Sequence, residues 1–404
     1  MRLFEDRLFQ MFADRALMTM TGGGAEYGEC ALTASRIPGG DVSAWHREWN
    51  ATGDMVAEWA RRSDEKGHAV SAADAYYRAS TYYRVANFPL FGTPVDPLLV
   101  ETFHKEADSF GHAADLWRLR PMEVPYEGIK LRGYLCLAQK DETRPTLVAV
   151  NGYDSNLHEM YWSHALPALR RGFHCLLMDG PGQGRNLIEH GLTIRHDWEH
   201  VLGPILDRLL TYGEVDPQRL AVMGWSFGGY LAARGVAGDP RVKALIVDPG
   251  SWDQQELLRE ILPLPPELKE AFPGIDPASL EPYLEEALRE DPIQRWWLVQ
   301  RGPWLHGVGS PAEYLLDLAR YNISEVVDEI TCPAFVATAE ADLLSFRAGT
   351  FFARLPGRDK VLKAFTRQEG AAGHCELWNR SRFTQQAFDW LSETLRWPIG
   401  ESVF

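Results

Sequence analysis

Residues 221–233, AVMGWSFGGYLAA, read as a short apolar run, a turn and a helix-forming run, with Ser226 at the turn. Gly224 and Gly228 stand two residues either side of the serine and Gly229 follows, so the backbone can turn tightly with no Cβ in the way. A serine on such a strand–turn–helix tip has the context of a nucleophile elbow; the competing reading is a glycine-rich turn with a solvent serine. A serine hydroxyl is a poor nucleophile at neutral pH. It needs a base to take its proton, and the base needs a carboxylate to hold its tautomer. Two later loops offer these groups. Ala339-Glu340-Ala341-Asp342-Leu343-Leu344 carries two acids, and Gln368-Glu369-Gly370-Ala371-Ala372-Gly373-His374-Cys375 carries a histidine among glycines. Ser226 is read as nucleophile, His374 as base and Asp342, in preference to Glu340, as the acid. Cys375 is not read as a nucleophile, because adjacent side chains in a loop usually diverge. An oxyanion hole needs two converging N–H donors. The N–H of Phe227 is one; the N–H of Tyr153, in Asn151-Gly152-Tyr153-Asp154, is the other.

These groups need elements to hold them. Apolar strand-like runs at 146–150, 173–178, 220–223 and 244–247 alternate with helical patterns at 164–171, 196–212 and 228–237. Such alternation predicts a parallel sheet covered on both faces. Two strands joined at Glu127-Gly128 precede it, strands at 334–338 and 361–365 resume it, and a helix over 382–395 closes it. The run Asp179-Gly180-Pro181-Gly182-Gln183-Gly184 lacks the Lys-Ser/Thr ending of a phosphate loop and is read as a tight turn supporting the site. Ahead of the sheet, residues 43–62, 71–87 and 97–117 carry helical spacing, with Trp45, Trp49, Val56 and Trp59 close to one face. Their aromatics are read as core between packed helices. Residues 251–329 hold only helical patterns. The expected organisation is a helical N-terminal domain (1–120), an α/β catalytic core (121–250 and 330–404) and a helical lid insertion (251–329). The first and last of these are expected to roof the site together. Tyr153, Trp225, Trp252 and Asp253 are the candidate substrate contacts; for Asp248 and Asp253 a helix-capping role stays equally open.

The whole chain resembles the subgroup of α/β-hydrolases with a helical N-terminal domain. That subgroup includes 2,6-dihydroxypseudooxynicotine hydrolase, fungal polyketide-shortening hydrolases of naphthopyrone precursors and esterases of the fermentation–respiration switch type. The resemblance rests on Gly23-Gly24-Ala25-Glu26-Tyr27-Gly28-Glu29, Trp45-His46-Arg47-Glu48-Trp49, Ser71-Ala72 with Tyr76 to Tyr83, Asn151-Gly152-Tyr153-Asp154-Ser155, the 179–184 turn, the elbow, Asp342 and His374. It implies an α/β-hydrolase core with a mostly parallel sheet and a Ser226–Asp342–His374 triad. It also implies that some members cleave carbon–carbon bonds in β-dicarbonyl-like aromatic substrates. Asp248-Pro249-Gly250-Ser251-Trp252-Asp253 and the lid follow no single member, so no substrate transfers.

Composition narrows the partners. A net charge of −15 over 404 residues argues against nucleic acid or an anionic membrane, which need a basic face. Five scattered cysteines without C-x-x-C spacing suggest reduced thiols in a cytoplasmic protein, with no metal site and no cofactor. The partner expected is a small-molecule substrate; a homodimer is left open. The bond broken is read as a carbon–carbon bond next to a ketone, with carboxylesterase or acyl-peptidase activity as the alternative. A non-catalytic binding protein on the same fold is the alternative from another class.

Overall fold

Trp45 and Trp49 anchor the first part of the chain. Both are fully buried on α3 (Val42–Glu65), with Thr52, Val56 and Ala60 continuing the same helical stripe. Asp41 starts this helix by accepting the Ala44 N–H at 2.9 Å. Two shorter helices precede it, α1 (Arg7–Leu17) and α2 (Tyr27–Ala34), in a stretch that carries no clear sequence signal. Between them, a 3₁₀ turn (Met18–Gly22) ends at a left-handed Gly23. α4 (Ala69–Asn87) packs against both α3 and α5 (Pro97–Leu116), which is why it is buried along nearly its whole length. The α3–α4 crossing is close: a Cβ at Gly53 would stand 2.5 Å from the Tyr83 ring. The Trp45 indole donates to the Val85 carbonyl at 2.9 Å, so its buried N–H is satisfied. Truncating a tryptophan packed this way costs about 3–5 kcal/mol.

The computed structural model describes residues 2–262, 264–289 and 291–398. By compactness the chain forms two units. One comprises Met1–Leu119, Leu187–Gly191 and Glu281–Tyr314; the other comprises Arg120–Asn186, Leu192–Leu280 and Leu315–Phe404. The stretch 251–329, expected as one insertion, is therefore divided. Its middle part belongs with the N-terminal helices because Trp296 is a core residue there. Trp296 donates to the Phe88 carbonyl at 2.9 Å and meets the Phe12 ring edge-on at 5.1 Å. Trp304 likewise packs on Phe91, 5.7 Å between ring centres.

The second unit is built on an eight-stranded sheet among the described residues, in the order β1-β2-β4-β3-β5-β6-β7-β8. The strands are β1 (Arg120–Tyr126), β2 (Ile129–Cys136), β3 (Arg144–Val150), β4 (His174–Met178), β5 (Val215–Trp225), β6 (Ala244–Asp248), β7 (Ala334–Ala339) and β8 (Lys360–Phe365). β1 and β2 form a hairpin whose turn residues, Glu127 and Gly128, both have positive φ, as a tight two-residue hairpin requires. Their burial alternates, whereas β4 and β6 are buried at every position. That difference separates a half-solvated antiparallel edge from the covered parallel centre. β3 through β8 run parallel, so the loops after β3, β5, β6, β7 and β8 all leave from one edge of the sheet. Crevices along that edge are where open α/β sheets hold ligands.

His174, at the start of β4, is fully buried and neutral by construction. Its Nδ1 accepts the Ala138 N–H at 3.0 Å, and its Nε2 lies 3.1 Å from the Glu142 carbonyl to which it donates. Burial pushes its pKa below the ordinary 6.5, against a smaller opposing effect of the Glu142 carbonyl. Buried His164 is shifted the same way, well below 6.5. As pH falls below 6.5 the unfolded chain gains protons that the folded chain refuses, so folding stability drops. Each group contributes a slope of at most about 1.4 kcal/mol per pH unit. Urea unfolding is expected to show a lower midpoint at pH 5.5 than at pH 7.5, with a smaller drop in His174→Gln. An equal drop in the variant would exclude His174 as a source of the acid slope.

Candidate active site

Ser226 follows directly on β5 in a left-handed backbone conformation, φ 60°, which a non-glycine residue adopts only under constraint. The constraint is local and tight. The Ser226 N–H donates to the Asp248 carbonyl at 2.6 Å, and Gly229 N–H returns to the Ser226 carbonyl at 2.9 Å. A Cβ at Gly224 would stand 1.9 Å from the Gly228 carbonyl oxygen, and one at Gly228 would stand 2.4 Å from the Val150 oxygen. Strand, turn and the following helix (Gly228–Val236) are thus packed backbone on backbone, and only glycine fits. The loop after β3 comes equally close: a Cβ at Gly152 would stand 2.6 Å from the Trp225 oxygen and 2.8 Å from Ser226 Cβ. This brings Tyr153 beside the elbow, its ring edge-on to Phe227 at 4.5 Å. Phe227 itself lies at the N-terminus of the helix, where backbone N–H groups have no intrahelical acceptor.

The two late loops meet the elbow. His374 Nε2 lies 2.8 Å from Ser226 Oγ, and His374 Nδ1 lies 2.9 Å from Asp342 Oδ2. The loops are tied to each other by Ala341 N–H on the Ala372 carbonyl at 2.9 Å. The Asp342 side chain is 4% exposed and that of His374 is 27% exposed, so the acid is shielded and the imidazole is reachable. Burial pushes the Asp342 carboxyl upward. The adjacent His374, the Leu344 N–H at 3.0 Å and the Ser345 hydroxyl at 3.3 Å outweigh it and hold the group below its ordinary range. Glu340 is elsewhere: it accepts the Arg367 N–H at 2.9 Å and pairs with that guanidinium at 3.1 Å. The 179–184 turn supports the site from below. Asp179 Oδ1 accepts the Leu157 N–H at 2.8 Å and also the Asn151 amide, while the Gln183 amide donates to the Asn151 carbonyl at 2.8 Å.

Other expected contacts lie differently. Trp225 points into the core, 3% exposed, against Trp162 at 6.0 Å and His164 at 5.7 Å. Trp252 is half-buried under the Arg354 guanidinium at 5.7 Å. Asp253 is a helix cap, accepting the Glu256 N–H at 2.9 Å and the Asn322 amide at 2.8 Å. Asp248 is neither cap nor exposed acid: it is buried and paired with Arg380. The Cys375 side chain does not diverge from His374; its Sγ lies 3.4 Å from His374 Nε2, because a left-handed backbone at Cys375 folds it back. Burial pushes that thiol well above its ordinary pKa, which keeps it a weak nucleophile. Arg380 and Glu376 were not anticipated. The available signal was an arginine on the apolar i, i+3, i+4, i+7 stripe of the last helix, Arg380–Phe383–Thr384–Ala387.

Ser226, His374 and Asp342 thus meet at the loop edge of a parallel α/β sheet, an arrangement of the kind α/β-hydrolases use. Comparison with known proteins agrees: the chain belongs to the alpha/beta hydrolase family, which it matches over residues 147–386, and it matches the family described as Esterase FrsA-like over residues 36–251. Hydrolase LUC6 of a Fusarium species is 32% identical, with 97% of this chain and 98% of that protein covered. The 20-hydroxy-prefusarin hydrolase FUS2 of Gibberella moniliformis is 32% identical over 85% of this chain and 84% of its own. In fold, the chain is similar to the crystal structure of 2,6-dihydroxy-pseudo-oxynicotine hydrolase, with a TM-score of 0.73 at 20% identity and 95% of each chain covered. The protein is an α/β-hydrolase of this subgroup. No helix among the described residues is long and apolar enough to cross a membrane.

Gly224→Ala and Gly228→Ala each place a Cβ against backbone that cannot yield. Each is expected to destabilise the chain by about 1–3 kcal/mol or more, measured by chemical denaturation. A Gly203→Ala control, where a Cβ meets nothing within 4 Å, should be near neutral. Elbow variants as stable as that control would contradict the packing described.

Proposed function

We propose that the protein is a serine hydrolase acting through Ser226, His374 and Asp342 on a small-molecule substrate, and that it breaks a carbon–carbon bond beside a ketone. The observation that carries the reading is the continuous path from Asp342 Oδ2 through His374 to Ser226 Oγ, with links of 2.9 and 2.8 Å. Ser226 Oγ attacks the ketone carbon while His374 takes its proton, and Asp342 holds the imidazole in the required tautomer. The N–H groups of Phe227 and Tyr153 stabilise the oxyanion. On collapse the electron pair of the carbon–carbon bond leaves on carbon, which requires delocalisation into a neighbouring carbonyl or phenolic ring. The His374 imidazolium protonates that carbon. Water, deprotonated by His374, then cleaves the acyl-enzyme to an acid and restores Ser226.

A flat, aromatic or polyketide-like substrate is supported by what surrounds the serine. Half-buried Tyr153 lies beside the elbow, its ring edge-on to Phe227 at 4.5 Å, while Tyr230 and Tyr321 back Phe227 as fully buried core. The relatives named as hydrolases, one of them for 20-hydroxy-prefusarin, support hydrolytic chemistry on small molecules. Ester hydrolysis is the second reading, favoured by the match to Esterase FrsA-like, because the same three residues cleave esters with a better leaving group.

Ser226→Ala and His374→Ala are expected to abolish turnover in folded protein. Asp342→Asn should lower kcat by about 10⁴-fold through the wrong tautomer, with Glu340→Gln nearly silent. Greater damage from Glu340→Gln would reassign the acid. The bond type is decided by incubating the enzyme with aromatic β-diketones and with aryl esters of matched size, and identifying products by mass spectrometry. Acid-plus-ketone or acid-plus-arene products are expected. Ester cleavage alone, across a range of diketones, would leave a carboxylesterase. Absence of labelling by a fluorophosphonate that labels a control esterase would favour a binding protein.

A further inference from the structure

Three buried charged side chains stand behind Ser226 and His374 and have no part in the chemistry above. Asp248 ends β6; Glu376 and Arg380 follow His374. Their side chains are 1%, 1% and 4% exposed. Arg380 Nη1 makes a short hydrogen bond to Asp248 Oδ2, donates to the Cys375 carbonyl at 3.0 Å and lies 3.5 Å from Glu376 Oε2. The same guanidinium stacks over the Phe383 ring at 3.8 Å and over Trp225, the residue before Ser226, at 5.3 Å. The Asp248 main chain is engaged as well: its carbonyl accepts the Ser226 N–H at 2.6 Å and the Cys375 thiol at 3.4 Å. One small cluster therefore grips both the serine turn and the segment next to His374. That segment needs gripping. Cys375 and Glu376 are consecutive non-glycine residues at φ 52° and 49°, a conformation costing about 1–3 kcal/mol each and persisting only where the surroundings enforce it.

We propose that Asp248, Arg380 and Glu376 form a positioning cluster that sets the Ser226–His374 distance, with Asp248 ionised against Arg380 and Glu376 held as the neutral acid. It rests on the reading of Ser226 and His374 as nucleophile and base. Two carboxylates on one guanidinium would leave a net negative charge buried in low dielectric, and one retained proton removes it. The Glu376 carboxyl is hydrogen-bonded to the Asp248 side chain, and two carboxyl groups can share such a bond only if one of them keeps its proton. Burial pushes Glu376 well above the ordinary carboxyl range, and the neighbouring Asp248 pushes it further. Asp248 is raised by burial but held back by Arg380.

The test uses the full chain with p-nitrophenyl acetate and a fluorophosphonate probe. Glu376→Gln keeps shape and neutrality and should retain kcat within about twofold. Glu376→Ala and Arg380→Met, folded by circular dichroism, should lose kcat and labelling rate about tenfold or more with KM nearly unchanged, as misplacement of reacting groups does. Folded Glu376→Ala and Arg380→Met with wild-type kcat would overturn the positioning role. Glu376→Gln as impaired as Glu376→Ala would overturn the neutral acid. If Arg380→Met does not fold, the Glu376 pair decides alone. Failure of the serine reading itself appears first in the wild type, as no labelling and no turnover, and takes the positioning role with it. An aberrant variant pattern in a reactive enzyme leaves that reading standing.

Discussion

The hydrogen bond from the Ser226 N–H to the Asp248 carbonyl is the point on which the site turns. It holds a non-glycine residue in the left-handed region, at the end of a strand whose next residues must start a helix. A strained residue persists only when its surroundings over-determine it. Here the surroundings are three backbone approaches closed to any Cβ, at Gly152, Gly224 and Gly228. These approaches join the loop after β3, the elbow and the helix behind it into one rigid piece. The backbone at the serine has no alternative, and this places the hydroxyl where His374 Nε2 meets it at 2.8 Å.

The imidazole is fixed by different means. His374 arrives on a loop after an edge strand, and β8 is mostly exposed or half-buried apart from Phe365. Such a strand gives the loop little support, although Ala371 and Cys375 in it are buried. The structure compensates with hydrogen bonds: Asp342 on the ring, Ala341 to Ala372 between the loops, and Arg380 on the Cys375 carbonyl. Ser226 is thus held by backbone packing, and His374 by a polar scaffold. Loss of one hydrogen bond is a smaller perturbation than a backbone clash, so the His374 side of the site is the side that substitution can tune.

The sequence carried the elements with strong patterns. The elbow, the two late loops and the central strands follow from glycine spacing and apolar runs, which are local signals. Helices α3, α4 and α5 follow from their stripes. Less legible were features set by tertiary partners. α1 and α2 are short, and their apolar residues find meaning only against Trp45 and its neighbours. The division of 251–329 depends on Trp296 packing on Phe88 and Phe12, hundreds of residues away along the chain. Helical periodicity marks a buried face but not the unit in which it is buried. Trp225 shows the same limit at one residue: being beside Ser226 in sequence says nothing of which face its side chain takes.

Cys375 and Glu376 were illegible for a further reason. Both are in the left-handed region, which sequence signals assign to glycine or asparagine. A local rule broken twice in succession, beside His374, marks a place where tertiary forces override propensity. The force available is Arg380, whose guanidinium packs on Trp225 and Phe383. A buried ion pair is poor evidence for stability, since well-packed apolar residues often do as well. Its better use is to specify one arrangement among several. An arginine with planar, directional donors fixes Asp248 on one strand and the Cys375 carbonyl on another segment at once. A hydrophobic replacement could fill that volume, but it could not choose the orientation of the peptide next to His374.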